Sequence, residues 1–378
     1  MLSAFAAKTI KLLGVEEPVM SISQTLTCPE QLIATDSHDF VTIYSPKNPC
    51  DSTALIDILL KHRDYFIQQI ADRGVLLFRG FSPSSPSEFH DIITQGFGME
   101  PWNAFNTEKM PGFISSWLRK YTEGLLGAGD YRRYLEKNTV QLGPVESSVQ
   151  GPHTEGGIRS ERSRYIALCC FEPAPHLAET GMVDLHEVYS NLPEATKQKY
   201  QQARNRFFYI TGRKVNVFDK MLLKKSPFTV ISRDDGYAHL ALPTCPLVCT
   251  VPETGKLCLQ PWAFARNTND AAHRAAVDNF KGRGEILKDS TADGMNLTWE
   301  LCDDKGDSIH WSAEEQRDMF DRIFKKAFLM AWQKGDFALV DNIRIGHWRM
   351  NGEQGNRKLV QIQANAFNAD LYQAPAFA

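Results

Sequence analysis

Between Gly74 and Ala364 the sequence keeps returning to short apolar runs bounded by glycine, proline or charge. These are GVLLFRGF (74–81), RYIALCCF (164–171), GMVDL (181–185), FFYIT (207–211), DFALVD (336–341) and KLVQIQA (358–364). Each has the length of a strand rather than of a helix. Helical patterns are fewer. Leu55, Leu59, His62, Phe66 and Ile70 fall on one face of a helix that Asp51-Ser52 opens and Gly74 closes. SPSSPSEF (82–89) reads as a loop leading into a short helix, Pro193 opens another, and Ser312-Ala-Glu-Glu315 is a capping box for a helix ending near Gly335. Many short strands with few helices between them point to a mainly β chain with helices (α+β), a sandwich or barrel rather than a doubly wound sheet.

The chain has 378 residues, 43% of them hydrophobic and 23% charged, which suits a globular protein with a sizeable core. No repeat, low-complexity tract or Pro/Gly/Ser-rich linker divides it, which predicts one continuous domain over 1–378. Within it, about 30–100 forms an N-terminal helix and strand part, 150–212 and 300–365 carry the core strands, and 213–300 reads as an insertion. Residues 100–150 hold aromatics and glycines without a period and read as a loop or lid.

The formal net charge of −3 argues against nucleic acid or an anionic membrane surface as the main partner. No apolar run approaches the roughly 20 residues that span a bilayer. The opening MLSAFAAKTIKLLG lacks the uninterrupted apolar stretch of a secretory signal and reads as a surface helix or frayed terminus. Eight cysteines in a chain this long are not a disulfide framework, and Cys245, Cys249 and Cys258 match no common zinc-finger spacing. Buried free thiols in a reducing, cytoplasmic compartment are expected. The sequence carries no signal for oligomeric state.

One motif does not belong to the core pattern. GPHTEGG (151–157) sets His153 and Glu155 two positions apart among glycines and a proline. In an extended segment such a pair points to one side, so both can face a single ion while Thr154 faces away. A lone His-x-Glu is also an ordinary polar turn, and two ligands make a weak site. Far downstream, DNIRIGHWR (341–349) places His347 after a strand ending at Asp341. Two histidines and a carboxylate, with other positions left open, suit non-haem Fe(II) oxygen chemistry.

Three blocks, in order, resemble the taurine-dioxygenase/clavaminate-synthase superfamily of Fe(II)- and 2-oxoglutarate-dependent oxygenases. They are GVLLFRGF with its following SEF, then HTEGG with RYIALCCFEPAPHLAETGMVDLHEVYSNLP, then WQKGDFALVDNIRIGHWRMNGEQGNRKL. Together they span roughly 70–365, with 100–150 and 213–300 poorly matched. The resemblance implies a double-stranded β-helix (jelly roll) core with outer helices. It makes His153, Glu155 and His347 the iron ligands, with glutamate standing where the family often has aspartate. Thr180 falls where a family hydroxyl binds 2-oxoglutarate, and Arg357 where an arginine grips the distal carboxylate of that co-substrate. A planar bidentate donor suits a carboxylate better than a lysine such as Lys358 does. Gln361 stands where some relatives carry a second arginine, which disfavours a sulfonate-like anionic substrate. Arg349 and Arg344 either contact substrate or co-substrate or form ion pairs at the core edge. Trp348 reads as packing, and His176 and His186 as surface or supporting histidines.

The implied reaction oxidises an unactivated C–H bond of a small molecule, using Fe(II), 2-oxoglutarate and O2 and releasing succinate and CO2. Hydroxylation is the expected outcome, with desaturation or cyclisation as diversions of the same oxidant; Glu155 disfavours halogenation. An amino acid or natural-product intermediate, free or tethered to a carrier protein, is the expected substrate. Trp102, Phe105, Trp117 and Tyr121 suggest a partly apolar one, or simply core packing. Two other classes compete. A zinc hydrolase on the same ligands would need a general base and has no use for Thr180 and Arg357. A non-catalytic jelly-roll binding module has no use for an intact ligand set.

Overall fold

The computed structural model describes residues 26–102, 151–232, 234–263, 270–281, 283, 296–353 and 355–375, with residues 114, 117, 121, 124–125, 132–135 and 139–142. The amphipathic opening at 1–14, Phe105 and most of the 100–150 loop lie outside these residues.

An eight-stranded sheet forms the frame, in the order Leu32–His38, Val41–Pro46, Val75–Phe78, Phe337–Asp341, Glu161–Glu172, Lys358–Asn368, Val140–Leu142 and Arg132–Tyr134. Every pairing is antiparallel except Val41–Pro46 on Val75–Phe78. A parallel pair needs a crossover, and the helices Ser52–Lys61 and Arg63–Arg73 supply it. The Asp51 side chain caps the first helix by accepting from Ala54 N at 2.8 Å. The single helix predicted to Gly74 is thus two. The chain leaves helical geometry at His62 (φ −116°, ψ 29°), yet Leu55, Leu59, Phe66 and Ile70 still enter one core. Apolar periodicity survives a break that keeps the buried face aligned, so it cannot reveal one.

The central strands are apolar throughout because both faces of this sheet are covered. Leu76, Phe78, Ala167, Cys169, Phe337, Leu339 and Val360 pack under the helices, while the alternate residues Val75, Leu77, Ile166, Leu168, Cys170, Ala338, Val340 and Leu359 pack inward. The inward set meets Met182, Met330 and Ile345 from a second, three-stranded sheet ordered Phe328–Met330, Thr180–Asp184 and Ile345–Arg349. The two sheets therefore face each other across a shared apolar layer. Cys169 and Cys170 point to opposite faces, as expected, and all eight cysteines are free thiols.

The outer face of the small sheet is closed by the helix Ala313–Lys325. Its Phe320 and Phe324 share a core with Val183, Leu185 and Trp348. Both bonds of the Ser312/Glu315 capping box form, Glu315 N to Ser312 Oγ at 3.1 Å and Ser312 N to Glu315 Oε2 at 2.9 Å. The helix stops at Lys325 rather than near Gly335. Phe328, Leu329 and Met330 instead pair with Met182, Gly181 and Thr180, which satisfies an otherwise open strand edge. The described residues of 213–300, the range expected as an insertion, share a core with the strand Arg204–Ile210. The strand Asn296–Cys302 pairs along its length with Arg204–Ile210. Trp117 and Tyr121 pack on Phe218, and the Tyr121 hydroxyl donates to Asp219 at 2.7 Å. Among the described residues no helix is long and apolar enough to cross a membrane.

Candidate metal centre

GPHTEGG does not run on as a strand. His153 alone is extended enough to pair, and it lies between two backbones, Trp262 on one side and His347 on the other. The pairing with His347 is reciprocal, His153 N to His347 O at 3.1 Å and His347 N to His153 O at 2.9 Å. Directly opposed residues in an antiparallel pair carry their side chains on the same side, so the two rings meet with centroids 4.5 Å apart. The flanking glycines have distinct reasons. A Cβ on Gly151 would lie 1.8 Å from the Ala263 carbonyl, and Gly156 turns the chain at φ +72°.

Glu155 is set by Asn342, fully buried in the turn before the His347 strand. The Asn342 side chain accepts from Glu155 N at 2.7 Å and donates to Glu155 O at 3.0 Å and Ser163 O at 2.8 Å. One amide thereby satisfies both backbone groups of the metal-side glutamate. Ligand atoms of His153, Glu155 and His347 all lie within 4.8 Å of one another, and all three residues are buried. No other such group occurs among the described residues.

The protonation pattern fits a cation. His153 Nδ1 lies 2.9 Å from the Gly151 carbonyl, which can only accept, so the proton sits on Nδ1 and Nε2 is the nitrogen that can act as a ligand atom. Burial and the neighbouring His153 push the His347 imidazole down to about 3, against the pull of Glu155, so it too is neutral. Two imidazoles and a carboxylate, converging within 4.8 Å, form a donor set that suits a divalent ion.

A polar layer supports the motif from behind. Arg162, fully buried, donates to Gln260 Oε1 at 2.8 Å and to Thr154 Oγ1 at 3.3 Å. Gln260 Nε2 donates in turn to the carbonyls of Leu259 and Ile343, both at 2.8 Å. Thr154, expected only as a spacer, thus links the motif to the strand Leu257–Leu259 and to the turn before His347. In front, Gln361 Nε2 donates to Glu155 Oε2 at 3.3 Å.

The co-substrate candidates fall on the same interior face. Arg349 stands two residues beyond His347, and its register partner is Thr180. Thr180 Oγ1 accepts the Trp332 indole N–H at 2.8 Å. Arg357 lies at the start of Lys358–Asn368, beside Cys170; burial holds its guanidinium below the usual arginine range. Among the described residues no carboxylate or hydrogen bond engages it. Arg344 is not brought to this face. Its Nε and Nη2 bind Asp184 Oδ2 at 3.0 and 2.6 Å, and Nη1 donates to the carbonyls of Ala71 and Asp72. Arg344 is engaged in an ion pair, with every guanidinium nitrogen bonded to Asp184 or to a helix-end carbonyl. Trp348 points away from the site onto Phe324, ring centroids 5.3 Å apart, and is packing. His186 binds the Leu257 carbonyl, and His176 is exposed on a two-residue strand.

Asn342, Gln260, Arg162 and Trp332 were not singled out from the sequence. Only Asn342 left a trace there, as Asp341-Asn342 at a strand end, a turn signal.

Comparison with known proteins agrees with this geometry. A model of the taurine catabolism dioxygenase TauD, TfdA family matches residues 50–363. PvcB from Pseudomonas aeruginosa is similar in structure, with a TM-score of 0.51 at 9% identity over 91% of this chain and 96% of that one. A taurine dioxygenase from Burkholderia xenovorans gives a TM-score of 0.49 at 12% identity, over 92% and 96% of the two chains. At 9% identity the likeness to PvcB is one of fold. Comparison with curated protein sequences gives no match. The family match covers most of the chain and both halves of the His-Glu-His group, so this protein belongs to the TauD/TfdA family and with it to the 2-oxoglutarate-dependent non-haem iron dioxygenases.

Proposed function

We propose that the protein oxidises an unactivated C–H bond of a small molecule, most simply by hydroxylation, at an Fe(II) held by His153, Glu155 and His347. The observation that carries this reading is the convergence of the three ligand atoms within 4.8 Å in a buried pocket. Arg357 supports it: a half-buried guanidinium with no hydrogen-bond partner among the described residues suits the distal carboxylate of 2-oxoglutarate. Thr180 stands across from Arg349 on the same face as His347, where a hydroxyl and a second cation can hold the co-substrate. On this reading the two facing sheets are a jelly-roll core, and 1–378 acts as one oxygenase domain.

Bound iron, with 2-oxoglutarate and O2, supplies the oxidising power, and 2-oxoglutarate leaves as succinate and CO2. The protein's own residues position and shield. The His153–Gly151 hydrogen bond fixes the imidazole tautomer, and Asn342 fixes the Glu155 backbone. Met182, Met330 and Leu359 line the apolar layer between the sheets, which excludes water from the reacting volume. The substrate class we favour is an amino acid or natural-product intermediate, free or carrier-tethered. The similar structure PvcB is described as an Fe, alpha-ketoglutarate dependent oxygenase from an isonitrile synthetic pathway, which agrees with a small, specialised substrate.

Anaerobic addition of Fe(II) and 2-oxoglutarate to the purified protein is expected to give a weak visible charge-transfer band. The band should vanish in His153→Ala and His347→Ala and weaken in Arg357→Ala. Tight Zn(II) binding with no band and no 2-oxoglutarate affinity would overturn the oxygenase reading in favour of a hydrolase.

A further inference from the structure

Glu155 is tethered at both ends. Asn342 holds its backbone, and Gln361 reaches its carboxylate, Nε2 to Oε2, at 3.3 Å. Both side chains are buried, at 3% exposure for Gln361 and 8% for Glu155. An ionised carboxylate only accepts, so the amide presents its N–H. We propose that Gln361 is a positioning residue for the metal, selecting which oxygen of Glu155 faces the ion; this role rests on the metal-centre reading above.

Three observations carry it. First, glutamate has one more rotatable bond than aspartate, so clamping its backbone does not by itself fix the carboxylate torsion. Ordering that extra torsion costs conformational entropy, and the Gln361 bond to Oε2 offsets it. Second, Gln361 stands on a rigid base. Its strand is paired on both sides, with Leu168 of Glu161–Glu172 and with Val140 as register partners. Third, its charge is right. An arginine or lysine here would form an ion pair with Glu155 and compete with the metal, whereas a neutral amide orients the carboxylate and leaves its full charge for the cation. The strand thus divides its donors: the cation Arg357 beside the co-substrate face, the neutral Gln361 beside the metal carboxylate.

The test needs no turnover. Co(II) affinity is measured by its visible absorption in wild type, Gln361→Met, Gln361→Arg, Glu155→Ala and the double variant Glu155→Ala/Gln361→Met. His153→Ala is the control, and circular dichroism and thermal unfolding monitor the metal-free fold. Methionine keeps length and volume without the donor, so the fold is expected to persist. Gln361→Met should weaken Co(II) binding by roughly 10- to 100-fold, in the range found when a supporting partner of a metal ligand is lost. Gln361→Arg should weaken it further. In the Glu155→Ala background, Gln361→Met should change affinity by less than about twofold, because the residue acts through that carboxylate. Wild-type affinity in a folded Gln361→Met, or an equal loss with and without Glu155, overturns the proposal. Wild-type affinity in His153→Ala overturns the metal centre itself, and Gln361's role with it.

Discussion

Two arginines drawn into the same sandwich, Arg344 buried and Arg357 half-buried, show how differently a cation can be treated. At the end of the small sheet, Arg344 is 4% exposed and every guanidinium nitrogen is occupied, by Asp184 and by two carbonyls at the end of the Arg63–Arg73 helix. At the start of Lys358–Asn368, Arg357 is also desolvated, yet no carboxylate or hydrogen bond among the described residues meets it. A desolvated charge is tolerated when its donors are satisfied. The first arginine is satisfied within the fold; on the function proposed above, the second would be satisfied by the distal carboxylate of 2-oxoglutarate.

The strongest way to break this contrast is to exchange the two. Arg344→Met leaves Asp184 buried and unpaired and should cost about 3–5 kcal/mol of stability in denaturant unfolding. The folded fraction should bind 2-oxoglutarate as wild type does. Neutralising both partners, as Arg344→Met/Asp184→Leu, should recover much of that loss; a folded Arg344→Met without co-substrate affinity would erase the distinction. Arg357→Ala should do the reverse. Stability should stay within about 0.5 kcal/mol, while 2-oxoglutarate binding by calorimetry weakens by about 2–3 kcal/mol, roughly 30- to 150-fold in Kd. Arg357→Lys should recover part of this, since an ammonium offers a charge without the fork.

The metal side of the pocket has its own satisfied and unsatisfied groups. In metal-free protein His347 is held neutral down to about 3 by burial and by His153, well below the 6.5 of an ordinary histidine. Its folded value is depressed, so its stability contribution is complete above pH 6.5 and is lost as the pH falls from there toward 3. The loss should approach about 1.4 kcal/mol per pH unit in that window. Denaturant unfolding of apo wild type against apo His347→Gln checks the slope, which should be shallower in the variant. The smallest expected effect is at Thr180. Thr180→Val removes the hydroxyl that accepts from Trp332 and should cost about 1 kcal/mol in 2-oxoglutarate affinity, roughly fivefold.

Much of the frame was legible in the sequence because it rests on local rules. VLLF, FALV and YIALCCF are apolar at consecutive positions, and the large sheet is covered on both faces, so each alternate residue has a core to enter. The Asp51 cap and the Ser312/Glu315 box act over three residues and were readable as such. Two elements were not. The helix break at His62 keeps the apolar face intact, and Phe328–Met330 is a strand only because Thr180–Asp184 offers it an edge.

The candidate site divides along the same line. The sequence by itself determined the candidate donor types: two imidazoles and a carboxylate, with a threonine and an arginine proposed for the co-substrate. Tertiary structure alone decided what each donor meets. It pairs His153 with His347 backbone to backbone, clamps Glu155 with Asn342, turns Thr154 from spacer to link, saturates Arg344 and leaves Arg357 open. Residue type and spacing fix which bonds a side chain can make. Which bonds are made depends on contacts of about 3 Å between segments nearly two hundred positions apart, such as Glu155 and Asn342, and only the folded chain brings those together.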